Sequence, residues 1–297
     1  MATVLEAFGR LRENLELTGL QASLVADRQR SVRDAMGREL PVVETFLTGS
    51  YRRQTLITPL STADVDVVVV LDRSERRRGP RGVLDVAKDA LLKSYRTSRV
   101  SRNGQAITIT FRDFVVDVVP AFAPPWWDLD GGGWDICDSG SDAWLRTDPK
   151  KHTERSAKIN KRCGGLLVPT VKMLKAWNRT ANEPLRSFHL EVLAWSIFDP
   201  RWLYHWWGPG ALMETDPDNV RRFFAEAGRL LRYGLPDPAR GRGDVGGYLS
   251  PSSRTAAISK VKAARERCER ADTLRLAGDD QAANALYRQV FGDAFPV

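Results

Sequence analysis

Two valine-rich segments, DVDVVVVL at residues 64–71 and VVDVVPAF at 115–122, limit the fold more than any other feature of this chain. Short runs of β-branched residues read as strands, because branching at Cβ suits a pleated surface and crowds a helix. Each run also carries acid. Side chains alternate along a strand, so Asp64 and Asp66, flanking Val65, point to one side and bring like charges together. Carboxylates so placed raise each other's pKa unless a cation sits between them. Asp117 has two valines before it and two after, a setting expected to be buried on both faces, where a carboxylate is costly unless paired or metal-bound. The residues alone leave simpler outcomes open: a solvated strand end for the first pair, and an arginine ion pair for Asp117.

Around these runs the hydrophobic period changes twice. Residues 5–38 read as helix, with Thr18 as a cap within the stretch. The strand VVETFL at 42–47 runs into Gly49-Ser50, and AITITF at 106–111 forms a hairpin with 114–122 through a turn at Arg112-Asp113. From about residue 150 onward strand signals give way to helical ones, interrupted by the irregular loop LPDPARGRGDVGGYLSP. At roughly 150 residues per domain, a chain of 297 residues fits two lobes. The expectation is a sheet-bearing lobe at 1–150 and a helical lobe at 151–297, with the N-terminal helix spanning both and a ligand cleft between them.

Composition removes other classes. The chain is 42% hydrophobic and 28% charged, which argues against collagen-like, disordered and coiled-coil folds. Cys137, Cys163 and Cys268 are too scattered for a zinc pair or a disulfide framework, and His152, His189 and His205 show no ligand spacing with them. No repeat is evident, and no apolar run approaches the ~20 residues that span a bilayer. A cytoplasmic protein with no membrane partner is expected. With 45 Lys and Arg against 37 Asp and Glu, the net charge is +8, which favours anionic partners or is merely a solvated surface. Arg73, Arg76, Arg77, Arg78 and Arg81 are read as a flexible solvated loop, and the paired tryptophans Trp126-Trp127 and Trp206-Trp207 as packing between lobes.

Three carboxylates on adjacent strands match what two-metal nucleotidyl transfer requires. Mg²⁺ is the natural ion, with Mn²⁺ as an alternative, since it binds through one or two carboxylates plus substrate phosphates. Gly49-Ser50, separated from Asp64 by residues 51–63, offers a hydroxyl and backbone N–H groups for a phosphate, although such a turn is ordinary by itself.

Taken together, GSYRRQT at 49–55, STADVDVVVVL at 61–71, VVDVVPAF at 115–122, LLVPTVKMLKAWN at 166–178, SFHLEVL at 187–193, the Asp237-Pro238 dipeptide and YRQVFGDAFP at 287–296 resemble the DNA polymerase β-like nucleotidyltransferases. Within that superfamily the chain resembles the cGAS/DncV-like nucleotidyltransferases (CD-NTases) of bacterial antiphage signalling (CBASS). The resemblance implies an α+β fold, with a polymerase β-like lobe built on a mixed sheet and a helical C-terminal lobe. It implies that Asp64, Asp66 and Asp117 are catalytic and hold the metal, that Gly49 and Ser50 clamp phosphate, that Lys175 and Lys172 grip the donor triphosphate, and that Ser187-Phe188 meet the nucleobase. Both lysines would project from the helix together, or merely form a solvated basic face, and Phe188 would stack on a base or merely fill the core.

The implied activity is synthesis of a cyclic di- or trinucleotide from NTPs with release of pyrophosphate, the product acting on a downstream effector protein. A monomer is expected, without a nucleic-acid template or activator, since the zinc-held insertion of the animal cyclic GMP-AMP synthases is missing. The alternatives are transfer to an RNA 3′ end or a small molecule, and a non-catalytic nucleotide sensor.

Overall fold

The computed structural model describes residues 2–124, 132–199, 214–238 and 243–296. Its contacts divide the chain into two units, residues 17–154 and residues 1–16 together with 155–297.

The first unit is a mixed seven-stranded sheet with helices. The strands are β1 (Val42–Leu47), β2 (Asp64–Leu71), β3 (Arg99–Asn103), β4 (Ala106–Thr110), β5 (Val115–Phe122), β6 (Trp134–Asp138) and β7 (Ala143–Thr147). They run in the order β1-β2-β5-β4-β3, with β6 joining β5 to β7. The two valine-rich strands are central and parallel, and all other pairs are antiparallel. Pro120 sits where β5 passes from the end of its pairing with β4 to its pairing with β6, a place where a missing N–H costs the ladder little.

Alternation gives the sheet two unequal faces. Val65, Val67, Val69, Leu71, Ile107, Ile109, Val116 and Val118 form one apolar face. It is covered by Val25, Val32 and Met36 of α2 (Gly19–Gly37) and by Val83, Leu84, Ala87 and Leu91 of α4 (Gly79–Ser94). Each such residue fully buried contributes roughly 1.5–3 kcal/mol. The opposite face carries a much smaller cluster, Val68, Val70, Ala121 and Ile136, with Phe46, Val119 and Trp134 against it. The expectation that β5 is buried on both faces is therefore corrected. Along β5, Val115, Asp117 and Val119 are only half-buried, because the cluster on the second face is far smaller than the one that α2 and α4 complete on the first.

The second unit is helical. It contains α1 (Val4–Leu15), α6 (Leu167–Thr180), α7 (Ser187–Phe198), α8 (Asp216–Leu230), α9 (Pro251–Leu276) and α10 (Asp280–Phe291), and the boundary between units falls inside α5 (Pro149–Arg162). The expected helix over 5–38 is in fact two. The chain turns extended at Glu16, and Thr18 caps α2 by accepting from the Gln21 N–H while the Gln21 side chain accepts from Thr18. The expectation also placed the first helix with residues 1–150. Phe8 instead packs edge-on against Tyr287, Phe291 and Phe295, which groups α1 with the C-terminal helices.

The Arg73–Arg78 segment, expected to be a flexible loop, is an ordered 3-10 turn capped by Asp72, whose carboxylate accepts from the Ser74 N–H. Arg73 donates to the Ala123 carbonyl, Arg76 pairs with Asp135 while lying over the Trp144 ring, and Arg78 pairs with Glu75. Acids brought in from β6 and the turn itself order what charge repulsion would loosen. The Trp126-Trp127 and Trp206-Trp207 pairs and His205 lie outside the described residues. No helix among the described residues is long and apolar enough to cross a membrane.

Candidate active site

Register brings the acids together. Asp66 and Asp117 are directly paired across the parallel β2 and β5 ladder, so both side chains leave the sheet on the same side, and Asp64 shares that side two residues earlier. This is the sparsely covered face. Asp64 is exposed, and Asp66 and Asp117 are half-buried.

Two local features orient the acids. Thr108 on β4 lies opposite Asp117, and its hydroxyl donates to Asp117 Oδ1 at 2.6 Å. Gly49 follows β1 at the start of the short helix α3 (Gly49–Arg52) with a φ of +62°, and a Cβ built there would sit 1.7 Å from Asp66 Oδ2. Only glycine satisfies both the left-handed backbone and the close approach of the carboxylate. The Thr48 N–H donates to the Asp66 carbonyl at 3.0 Å, tying the turn to β2. Ser50 follows in α3, half-buried, and its carbonyl accepts from the Thr55 N–H.

Among the described residues no three His, Cys, Asp or Glu side chains close into a ready-made metal cage. A hard divalent cation does not require one here, because Mg²⁺ keeps water and takes substrate phosphates alongside one or two carboxylates. An all-carboxylate donor set on one half-open face, with Asp66 held against backbone and Asp117 held by Thr108, fits that requirement.

In the helical unit the lysines differ from expectation. Lys172 and Lys175 do not project into solvent; each residue is 5% exposed. Lys172 Nζ lies 2.6 Å from Glu16, and Lys175 Nζ lies 2.7 Å from Glu191, whose side chain is fully buried. A solvated basic face is thereby ruled out. Facing acids on α7 and at the end of α1 draw the amines inward, and burial of either charge would be prohibitive without that partner.

Ser187 and Phe188 open α7. Ser187 is exposed, and Phe188 is half-buried with an edge-on contact to Trp195 at 6.1 Å between ring centroids, so it is not a wholly enclosed core residue. His189 is 2% exposed and packs against Tyr248. Burial, resisted by nearby Asp244 and reinforced by Arg254, pushes its pKa down to about 4. Cys137 and Cys268 are buried with their thiols pushed up to about 12 by desolvation, which keeps them protonated and inert.

Sequence reasoning missed Thr108, Glu191 and Glu16. The first was recoverable, because continuing the predicted hairpin register back from its turn sets Thr108 opposite Asp117. The acids facing the lysines carried no such local signal.

The sequence profile of the Second Messenger Oligonucleotide or Dinucleotide Synthetase domain matches residues 1–160. The cyclic AMP-AMP-AMP synthase of an Acinetobacter species is 28% identical over 270 aligned residues, covering 86% of this chain and 73% of that protein. The cyclic AMP-AMP-GMP synthase of Enterobacter hormaechei is 24% identical, with 98% of this chain and 91% of that protein covered. Two solved structures share the fold. The Vibrio cholerae DncV cyclic AMP-GMP synthase, in complex with its linear intermediate, superposes with a TM-score of 0.79 at 14% identity, over 99% of this chain and 97% of that one. CdnC of Escherichia coli MS115-1, in complex with HORMA-deltaN, gives 0.76 at 18% identity, over 99% and 98%.

Proposed function

The chain belongs to the Second Messenger Oligonucleotide or Dinucleotide Synthetase family, and from that premise we propose that it joins NTPs into a cyclic di- or trinucleotide through the Asp64, Asp66 and Asp117 face of its sheet. The observation that carries the assignment is the register: two aspartates paired across parallel strands, with a third on the same side. Asp64, Asp66 and Asp117 would hold divalent cations, Mg²⁺ foremost and Mn²⁺ as an alternative. When bound, such ions neutralise triphosphate charge and make a ribose hydroxyl easier to deprotonate.

The chain's own groups supply the rest. The Gly49-Ser50 turn offers backbone N–H groups and a hydroxyl to phosphate oxygens, and the missing Cβ at Gly49 lets the Asp66 carboxylate lie against that turn. Thr108 holds the Asp117 carboxylate in one orientation. Ser187 and Phe188 meet the nucleobase, the ring by stacking worth about 1–3 kcal/mol. Lys172 and Lys175 are assigned to the triphosphate, which requires each amine to trade part of its pairing with Glu16 or Glu191 for phosphate oxygens. A ribose hydroxyl of one nucleotide then attacks the α-phosphorus of another in line and pyrophosphate leaves. Repetition on the linear product closes the ring.

Following the family resemblance, we place the enzyme in the cytoplasm as a monomer, its product read by a separate effector protein in antiphage defence. The test is incubation of purified protein with each labelled NTP, singly and in mixtures, followed by phosphatase. Label that survives phosphatase and runs as a cyclic product supports the reading. Complete loss of label, or label appearing only on added RNA, overturns it.

A further inference from the structure

The turn that carries Ser187 and Phe188 is held by a residue far along the chain. Tyr248 lies in the stretch 243–250 that leads into α9. Its hydroxyl accepts the backbone N–H of Arg186 at 2.7 Å and stands 3.2 Å from His189 Nδ1. Arg186 is the N-cap of α7 and makes no side-chain capping bond, so the tyrosine does from a distance what a local capping side chain does in other helices. The N–H of Arg186 donates to the hydroxyl oxygen, and the hydroxyl can meet His189 Nδ1 as donor or as acceptor according to the imidazole tautomer. Burial keeps that imidazole neutral. The guanidinium of Arg186 lies 4.4 Å over the Tyr248 ring, and the His189 ring meets it edge-on.

The stretch that presents Tyr248 is itself fixed. Asp244 Oδ1 accepts the N–H groups of Leu235 at 2.9 Å and Gly246 at 2.8 Å. Arg254, in the first turns of α9, donates to the carbonyls of Leu231 and Gly246 and lies 3.6 Å from Asp244. A Cβ at Gly246 would stand 2.9 Å from His189 Cε1, so the backbone there is pressed onto the imidazole. Together they bind both sides of one dipeptide, with Arg186 before it and His189 after it.

We propose that Tyr248 is a positioning residue for nucleobase selection, its hydroxyl fixing the turn at Arg186 and His189 so that Ser187 and Phe188 meet the base at one set place. This inference rests on the reading of Phe188 as a base contact. Stacking alone accepts every base, so discrimination needs the ring and the neighbouring hydroxyl held in register with one another. A tyrosine hydroxyl bonded on both sides of the pair supplies that constraint.

The experiment compares the full-length protein with Tyr248→Phe, Phe188→Leu, the double variant and His189→Asn, measuring the dissociation constants of ATP, GTP, CTP and UTP with Ca²⁺ in place of Mg²⁺. Tyr248→Phe keeps the ring and its contact with Arg186 and removes only the hydroxyl. It should weaken the preferred nucleotide about threefold to tenfold and narrow the spread of affinities among the four bases, with a melting temperature within about 2 °C of wild type. His189→Asn, which offers an amide oxygen near the position of Nδ1, should keep most of the discrimination. The double variant should lose less than the product of the single losses, because both changes act on one contact. Unchanged affinities in Tyr248→Phe beside a loss in Phe188→Leu overturn the positioning role alone. A uniform weakening that tracks a fall in melting temperature also overturns it, in favour of a structural tyrosine. If Phe188→Leu binds all four nucleotides as wild type does, the base contact itself is refuted and the proposal falls with it.

Discussion

The aspartates of the sheet unit and the lysines of the helical unit carry the opposite charges of the proposed chemistry, and the fold treats them differently. Asp64, Asp66 and Asp117 stand on the barely covered face of the sheet, gathered by strand register, with Thr108 and the Gly49 turn among the groups that orient them. Lys172 and Lys175 are buried, each matched to a carboxylate. Like charges assembled on an open face are a store of repulsion that a ligand relieves, whereas a buried opposite pair is part of the packing. Removing charge should therefore harm chemistry and spare folding in the first region, and harm folding as well as triphosphate binding in the second.

The sharpest test is the double variant Asp64→Asn and Asp66→Asn. Pyrophosphate release should fall on the order of a thousandfold, with the melting temperature unchanged or raised, because the loss relieves repulsion. Activity within about tenfold of wild type would break the comparison on its acidic side. Lys175→Ala should show the reverse order of effects. It leaves Glu191 charged and enclosed, and denaturant unfolding should report a loss of roughly 3–5 kcal/mol. A variant of normal stability would place Lys175 among the freely exchangeable charges.

A smaller effect is expected from Thr108→Val, which keeps the shape of β4 and removes the bond to Asp117. Turnover should drop about tenfold while stability stays within about 1 kcal/mol. Equal turnover would mean that register alone orients Asp117. Another expectation, spread over a pH range, concerns acid. His189 has its pKa lowered from its ordinary 6.5 to about 4, first by desolvation. The unfolded chain thus takes up a proton that the folded one refuses. The stability tied to this group is complete above about pH 6.5 and is lost as pH falls toward 4, on the order of 3 kcal/mol in all. His189→Asn should flatten that part of a stability-against-pH curve, and an unchanged slope would show that the buried imidazole does not govern it.

What the sequence discloses and what it hides follow the same division. The acid-bearing strands are legible because β-branched runs announce themselves and alternation fixes which side the acids take. Thr18 is legible as a cap because the Thr and Gln that reciprocate are only three residues apart. The short strands RVSRN, WDICD and AWLRT are not, since mixed polar composition gives them no period, and pairing with neighbours makes them strands. The arginines at 73–78 read as repelling charges because Asp135 arrives from 59 residues away for Arg76. The partners of the lysines are hidden for the same reason: Glu16 is 156 positions from Lys172, and only helix packing makes them neighbours. Local rules find what backbone geometry gathers, and miss what tertiary packing matches.

The grouping of α1 with the C-terminal helices has a consequence for the order of synthesis. Phe8 is translated long before Tyr287, Phe291 and Phe295, the rings that enclose it. Residues 17–154, by contrast, contain every strand of the sheet and complete their own core from one continuous stretch. On the ribosome the sheet unit can fold while the helical unit still waits, with the apolar face of the first helix lacking its partners. A ribosome stalled after residues 17–154 have emerged and before residue 287 would hold a finished set of carboxylates and an unfinished helical half.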